Sequence, residues 1–494
     1  MHPYKVMVPF LAGTIAIAWL VASRQPLLAI PFIAAISCLF AYVLVQRDLV
    51  PAYMKVIAFL LPFSTPLPFL EDSMLRMPTE PMIGLAVLIL PLFLLKAQRL
   101  NKSLWKEMFF VLPLIVLYLL SSLFSEMLVV SLKFSLVNIA YVLVFYVFFL
   151  HLFRQDARLF PDMVKLYGLG FVLVFLWSLY QYGQYDWNPV VLRGIFRPFF
   201  NDHTIFGAAA ALLAVLAIGS GIRQHTIPGF LVGGSAGMFF VLAVFYSTSR
   251  GAMLSLVAAV FVAMIMWLKP RPLVLMAGLV LLLLSGYVFY PGMRDRLEQT
   301  ETISYDREAG VLDRTRSVAN VSTDVSNVER LNRWVSAWRM FQERPLTGFG
   351  PGTYQFVYIP YQEERLMNRL TVTDPWNPPE GSGGTAHSEY LLLLSETGTM
   401  GLAAFLLILG RWSRLAVLRW RDHPRRTAMA VALVALSTYF FHALVNNFLT
   451  TDKMAFLFWG TAAWLVAMYY RGGRVGVSWG VEGREEIRKM KNEE

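Results

Sequence analysis

The residues best suited to chemistry are arginines and histidines set beside small, polar or glycine-rich turns. Arg193 and Arg197 precede Pro198-Phe199-Phe200-Asn201-Asp202-His203 at the start of an apolar run, and Ser247-Thr248-Ser249-Arg250-Gly251 is a tight polar turn between two such runs. Arg330, Arg333 and Arg339 recur along one amphipathic stretch. A guanidinium at the edge of lipid is costly unless it is paired or close to the interface, and its planar fork suits bidentate binding of a phosphate. Snorkelling, or pairing with an acidic neighbour, accounts equally well for any one arginine taken alone. The hydroxyls around Arg250 offer further donors to an anionic oxygen and favour the phosphate reading there.

His387 is the candidate proton acceptor. It ends a glycine-rich stretch and begins an apolar one in Thr385-Ala386-His387-Ser388-Glu389-Tyr390-Leu391. A histidine in the first turn of a helix feels the positive helix end, which favours the neutral imidazole that a general base needs. A histidine that only hydrogen-bonds at the helix start is the plain alternative. Glu396, in Ser395-Glu396-Thr397-Gly398-Thr399-Met400-Gly401, is an acid inside a membrane run and so a functional candidate, although Gly398 and Gly401 point to close helix packing instead. His442, Asn446 and Asn447 can hydrogen-bond between helices. His203, Arg193, Glu396 and His442 are supporting candidates. No Walker loop, Rossmann glycine pattern, Asp-x-Asp pair or His/Cys/carboxylate cluster with metal-ligand spacing occurs, so no cofactor and no metal are expected. Arginine then has to balance any diphosphate leaving group.

The elements that hold these residues are membrane helices. Of the 494 residues, 57% are apolar and 15% charged, whereas a soluble domain carries about 25% charged residues. Runs such as Val111–Leu120 and Leu273–Leu284 are apolar all round, as helices in lipid are. About fourteen spans are expected, with cores at 6–22, 27–46, 52–70, 82–97, 108–124, 131–152, 162–182, 202–220, 227–246, 251–268, 272–290, 388–410, 427–448 and 453–470. The 52–70 segment is interrupted by Pro62, Pro66 and Pro68, the 82–97 segment is short, and the count can fall to twelve. The expected fold is an all-α polytopic bundle: residues 1–290 with eleven spans, a long outer loop at 291–386, the last spans of the same bundle at 387–470, and a charged tail at 471–494. Val6 to Val21 reads as a first span rather than a cleaved signal, because only Lys5 precedes it and further spans follow.

The net charge of +11 comes from short basic clusters between apolar runs, which fits membrane topology and not a nucleic-acid surface. Arg154, Arg158, Lys165, Arg223, Arg411, Arg414, Arg425, Arg426 and Arg471 fall in alternate connections, which should be cytoplasmic together with both termini. Cys38 is the single cysteine, so no disulfide can form within the chain. In the outer loop, Ser326 and Glu329 have capping-box spacing, followed by Leu331, Trp334, Trp338 and Phe341 at helical spacing. Pro345 and Gly348-Phe349-Gly350-Pro351-Gly352 end that helix.

These pieces together resemble the O-antigen ligase and polymerase superfamily of bacterial envelope enzymes. The resemblance rests on Ser249-Arg250-Gly251, on Glu329-Arg330 through Trp334 and Trp338 to Pro345-Leu346-Thr347-Gly348-Phe349-Gly350, and on His387-Ser388-Glu389-Tyr390-Leu391 with Glu396-Thr397-Gly398 and Gly401-Leu402. It implies a metal-independent, C-type membrane glycosyltransferase of the bacterial inner membrane. Its donor would be a glycan on undecaprenyl diphosphate, its acceptor a lipid or glycan hydroxyl, and membrane lipids its surroundings. His387 matches the family histidine that deprotonates or orients the acceptor. Arg250 and Arg197 match arginines that hold the diphosphate, with Arg330 and Arg333 as further candidates. Ser388 stands where the family more often has Asn, and the chain has about two more spans than the ligases. Lipid A core, a second lipid-linked chain or a protein hydroxyl are the possible acceptors, with ligase activity the first expectation. A flippase would need polar groups near the bilayer midplane, and here they gather at one face.

Overall fold

The computed structural model describes residues 26–70, 73–96, 102–224, 226–268, 325–367, 384–418, 423 and 425–472. The helices are α1 (Pro26–Gln46), α2 (Val50–Leu60), α3 (Thr79–Lys96), α4 (Lys102–Leu123), α5 (Leu128–Gln155), α6 (Leu159–Gln184), α7 (His203–Gln224), α8 (Ile227–Tyr246), α9 (Arg250–Leu268), α10 (Val325–Glu343), α11 (Glu389–Leu418), α12 (Arg426–His442) and α13 (Asp452–Gly472). Eight of these are long and apolar enough to cross a membrane, or nine with a bent pair counted as one, among the described residues. The chain is a multi-pass helical membrane protein. The expected spans at 6–22 and 272–290 lie outside the described residues.

Apolar residues at every position, rather than along one stripe, let helices pack on several sides at once, and α5 is the clearest case. Its second half is buried, and it places Phe145, Phe149 and Phe153 against Phe456 of α13 and Phe160 of α6. A π-turn over Leu143–Phe148 widens it mid-span. By contrast α9, which begins with Arg250, is only 17% buried and turns Leu254, Val257, Val260 and Phe261 outward.

The expected span at 52–70 is corrected. Residues Ile33–Gln46 and Val50–Phe63 form a pair bent by 117°, and the chain then leaves the helix for an antiparallel hairpin, β1 (Thr65–Leu70) with β2 (Ser73–Met77). Pro62, Pro66 and Pro68 lack the N–H groups that a continuing helix requires. The hairpin is tied to the start of α13: Arg76 Nη1 donates to Thr450 O at 3.0 Å and Lys453 Nζ to Ser64 O at 2.7 Å. Thr79 donates to the buried Asp452 carboxylate in the same place.

The 325–367 stretch folds over one end of the bundle and is locked to α11 by an exchange of backbone bonds. At Gly398 (φ 68°, ψ −170°) the α11 helix breaks. Thr399 N donates to Pro345 O at 2.8 Å, while Ser395 O, its helical partner in an unbroken helix, accepts from Phe349 N at 3.0 Å. Glu396 O accepts from Gly350 N at 2.9 Å and from Ser121 Oγ at 2.7 Å. The break thus hands Thr399 N, Ser395 O and Glu396 O to partners outside the helix. Such closeness demands glycine. At Gly348 (φ 65°) an added Cβ would stand 2.2 Å from the Glu396 carbonyl carbon. Gly348→Ala should therefore destabilise the protein by about 1–3 kcal/mol, read as a lower unfolding midpoint in detergent; an unchanged midpoint would contradict this docking.

Candidate active site

Segments from across the sequence meet at the end of the bundle that carries the α7, α9 and α11 N-termini and the α12 C-terminus. The basic residues Arg154, Arg158, Arg223, Arg414, Arg425 and Arg471 sit at or near the opposite helix ends, α5 C-terminal, α6 N-terminal and so on around the bundle.

The 193–203 segment enters α7. Arg193 and Arg197 are exposed, and Trp177 Nε1 donates to Arg197 O at 3.3 Å. Asp202 caps α7, its Oδ1 accepting from Thr204 N at 2.8 Å and its Oδ2 from Thr204 Oγ1 at 2.7 Å. Burial works to raise the Asp202 carboxyl, but His203, the two Thr204 bonds and His387 outweigh it and hold it below the usual carboxylate range. His203 Nδ1 bonds Ser247 O at 2.8 Å, which fixes the arginine segment against the turn before α9. Arg193 and Arg330 both lie within electrostatic range of His203.

The 247–251 turn is a left-handed step at Thr248 (φ 54°) followed by a cap: Ser249 Oγ accepts from Ala252 N at 3.3 Å. Arg250 is the first residue of α9 and is half-buried. Gly251 lets α12 close in, since a Cβ there would lie 3.2 Å from His442 Cε1 and from Val445 Cγ2. Asn446 Nδ2 approaches His442 Nε2 at 3.0 Å, so this amide serves as donor to the ring. His442 lies within electrostatic range of Arg330 and Asp202.

His387 is held from three sides. It is not in the first turn of α11, as expected, but just before it in a left-handed conformation (φ 49°), and Ser388 Oγ takes the capping role by accepting from Leu391 N at 3.4 Å. A left-handed non-glycine residue stores strain that its surroundings must hold. Trp334 Nε1 does so by donating to His387 O at 3.2 Å, and Thr385 Oγ1 donates to Asn447 Oδ1 at 2.6 Å nearby. The ring's Nε2 stands 3.4 Å from Glu329 Oε1, which also accepts from Arg333 Nε at 3.0 Å. Glu329 therefore serves the imidazole and a guanidinium rather than the capping box its spacing suggested, because the charged guanidinium of Arg333 outbids a neutral backbone N–H. Burial acts to raise the Glu329 carboxyl, but bonding and attraction from His387, then Arg333, bring it below its ordinary value.

Arg333 is 2% exposed, with its guanidinium carbon 5.0 Å from the centre of the Tyr358 ring. Gly384 (φ 88°) packs its backbone on that guanidinium, where a Cβ would lie 3.0 Å from Nη2. Arg330 is half-buried on the same helix. Trp338, on another face of α10, is 49% exposed. Glu396 has a different partner. Its Oε1 accepts from Tyr354 N at 3.0 Å, so it anchors the strap after α10.

Sequence reasoning passed over Asp202, Glu329 and Glu389. Glu389 Oε2 accepts from Tyr439 Oη at 2.7 Å and from Leu449 N at 3.4 Å, which steadies the 443–449 segment. Glu329 was visible as an i,i+4 partner of Arg333, and Asp202 as a helix cap before Thr204. Among the described residues, no group of three or more His, Cys, Asp or Glu side chains could hold a metal ion.

Residues 235–406 match the family model described as O-Antigen ligase, an interval that contains Arg250, Glu329, Arg330, Arg333, His387 and Glu396. No curated protein matches the chain. Over residues 235–406, this multi-pass membrane protein is similar to the O-antigen ligase family.

Proposed function

We propose that the protein transfers a glycan from undecaprenyl diphosphate to an acceptor hydroxyl at the periplasmic face of the bacterial inner membrane. The acceptor oxygen attacks the anomeric carbon and displaces the lipid diphosphate with inversion. His387 takes the hydroxyl proton, while Arg197, Arg250 and Arg330, with Arg193 beside them, stabilise the departing diphosphate as its charge develops. The observation that carries this reading is the convergence of the His387 segment with the arginine-bearing segments 193–203 and 247–251 at one end of the bundle, through the Asp202, His203, Arg330 and His442 neighbourhood. The basic residues at the opposite helix ends support a periplasmic placement. The exposed flank of α9 supports a lipid-borne substrate, because a polyprenyl chain needs an apolar approach to Arg250.

The acceptor decides the name. Lipid A core gives ligase activity, a second lipid-linked chain gives polymerase activity, and the family match favours the first. Reconstitution with a defined lipid-diphosphate donor and each acceptor in turn tests this, scored by which acceptor is extended. Extension of no acceptor, with donor and protein intact, would count against glycan transfer. EDTA should leave the rate within about twofold, since the charge balance is assigned to arginine; loss of activity restored by a divalent cation would overturn metal independence.

A further inference from the structure

We infer that Arg333, Glu329 and His387 form a relay that fixes the imidazole tautomer, so that Nδ1 and not Nε2 is the atom that accepts the acceptor's proton. The inference rests on the reading of His387 as the base. It starts from three positions. Glu329 Oε1 is shared between Arg333 Nε at 3.0 Å and His387 Nε2 at 3.4 Å, and all three side chains are buried or half-buried. An ionised carboxylate can only accept hydrogen bonds. Arg333 donates to it permanently, and its favourable partners keep Glu329 in the charged form. Nε2 must then carry a hydrogen, and the neutral ring keeps its lone pair on Nδ1.

The geometry gives Arg333 a different task from the exposed arginines. Buried under Gly384 and stacked on Tyr358, it turns its Nε to Glu329, and the relay assigns it to that carboxylate rather than to the diphosphate. Arg333 and Glu329 are positioning residues. The i,i+4 spacing on α10 holds them in one line toward the strap, and Trp334, the next residue along, clamps the His387 carbonyl at 3.2 Å. One turn of α10 thus sets both the backbone and the ring of His387.

In the reaction the acceptor O–H bond breaks and its proton passes to Nδ1. The oxygen's electron pair forms the new bond to the anomeric carbon. The bond from that carbon to the phosphate oxygen breaks, and its electrons leave on the diphosphate. The imidazolium so formed is stabilised by Glu329, and it later returns its proton to water. Among the described residues, the other charged or titratable groups near it include Arg330 on α10, Asp202, His203 and Arg193 on the segment before and into α7, His442 at the end of α12, and Arg250 at the turn packed on His442.

The test uses the full-length protein in lipid nanodiscs, labelled with ¹⁵N-histidine, without added substrate. Of the 7 histidines, His387 is identified as the signal lost in His387→Asn. Above the pH at which the ring is charged, the expected spectrum is that of the tautomer with hydrogen on Nε2 and a bare Nδ1. Glu329→Gln keeps the shape and an oxygen for Arg333, and should lower kcat about 10- to 100-fold with KM for the donor little changed. With the carboxylate charge gone, the imidazolium is less stable. The acid limb of the rate profile should therefore move to lower pH. A wild-type signal with hydrogen on Nδ1, or a Glu329→Gln enzyme with the parent kcat and acid limb, overturns the relay. Full activity of His387→Asn overturns instead the reading of His387 as the base, so the two failures are told apart.

Discussion

His387→Ala should lower glycan transfer about 100- to 10,000-fold, the range over which a positioned general base contributes, while the protein still accumulates in the membrane. The ring is about a quarter exposed and its removal empties no core, for the contacts that hold this segment are made by the His387 carbonyl, Thr385 and Ser388. The unfolding midpoint should therefore stay close to that of the parent. The decisive measurement is single-turnover transfer from a labelled lipid-diphosphate donor, with protein level measured in the same membranes. A variant that transfers at the parental rate removes His387 from the chemistry. A variant that fails to accumulate shows that the left-handed turn, rather than the imidazole, is what the chain requires there, which also counts against a purely catalytic role.

Arg250→Ala should cost about 100- to 1,000-fold in kcat, the penalty for removing one preorganised donor to a developing anion. Arg250→Lys restores only part of it, because an ammonium is a point charge and cannot bind two phosphate oxygens through a planar fork. Position supports the size of the effect. Arg250 stands at the first turn of α9, where the helix N-terminus already favours an anion, and Ser249 caps the same turn. Since Gly251 and His442 set the packing of α9 on α12, the side chain itself can be shortened without disturbing that contact. Transfer at the parental rate by Arg250→Ala would place the diphosphate elsewhere, with Arg193, Arg197 and Arg330 the next candidates among the described residues.

The two variants separate by their kinetics. Loss of a base acts on the attack step and carries a pH dependence, whereas loss of a diphosphate contact acts at every pH and weakens binding of the bare lipid diphosphate. Competition by undecaprenyl diphosphate alone should consequently be weaker against Arg250→Ala and unchanged against His387→Ala.

The sequence by itself determined the class of protein and most helix positions, and it singled out the residues proposed to react. Composition forces lipid as the solvent, and lipid forces helices because each backbone N–H must find its partner within the segment. Arg250 and His387 stand out because a cation beside a hydroxyl-rich turn and a histidine beside a glycine-rich strap are rare among apolar runs. The prolines at 62, 66 and 68 announced an interruption but not the hairpin that replaces the helix, since strand pairing depends on a partner that helical periodicity does not reveal.

Only the tertiary structure decided what each polar group does. Glu396 offered both a chemical and a packing reading, and the packing reading fits the contact it makes, receiving the Tyr354 amide beside the break at Gly398. Glu329 looked like a helix cap, yet its carboxylate stands 3.4 Å from an imidazole 58 residues further along the chain. Arg330 and Arg333 looked alike, but Arg333 is buried against Tyr358 and Gly384 with its Nε on Glu329, whereas Arg330 is half-buried. The physical reason is common to all three. A side chain's charge and hydrogen-bonding capacity are local properties, while the partner that uses them is supplied by whichever distant segment the packing of the bundle brings within about 3 Å.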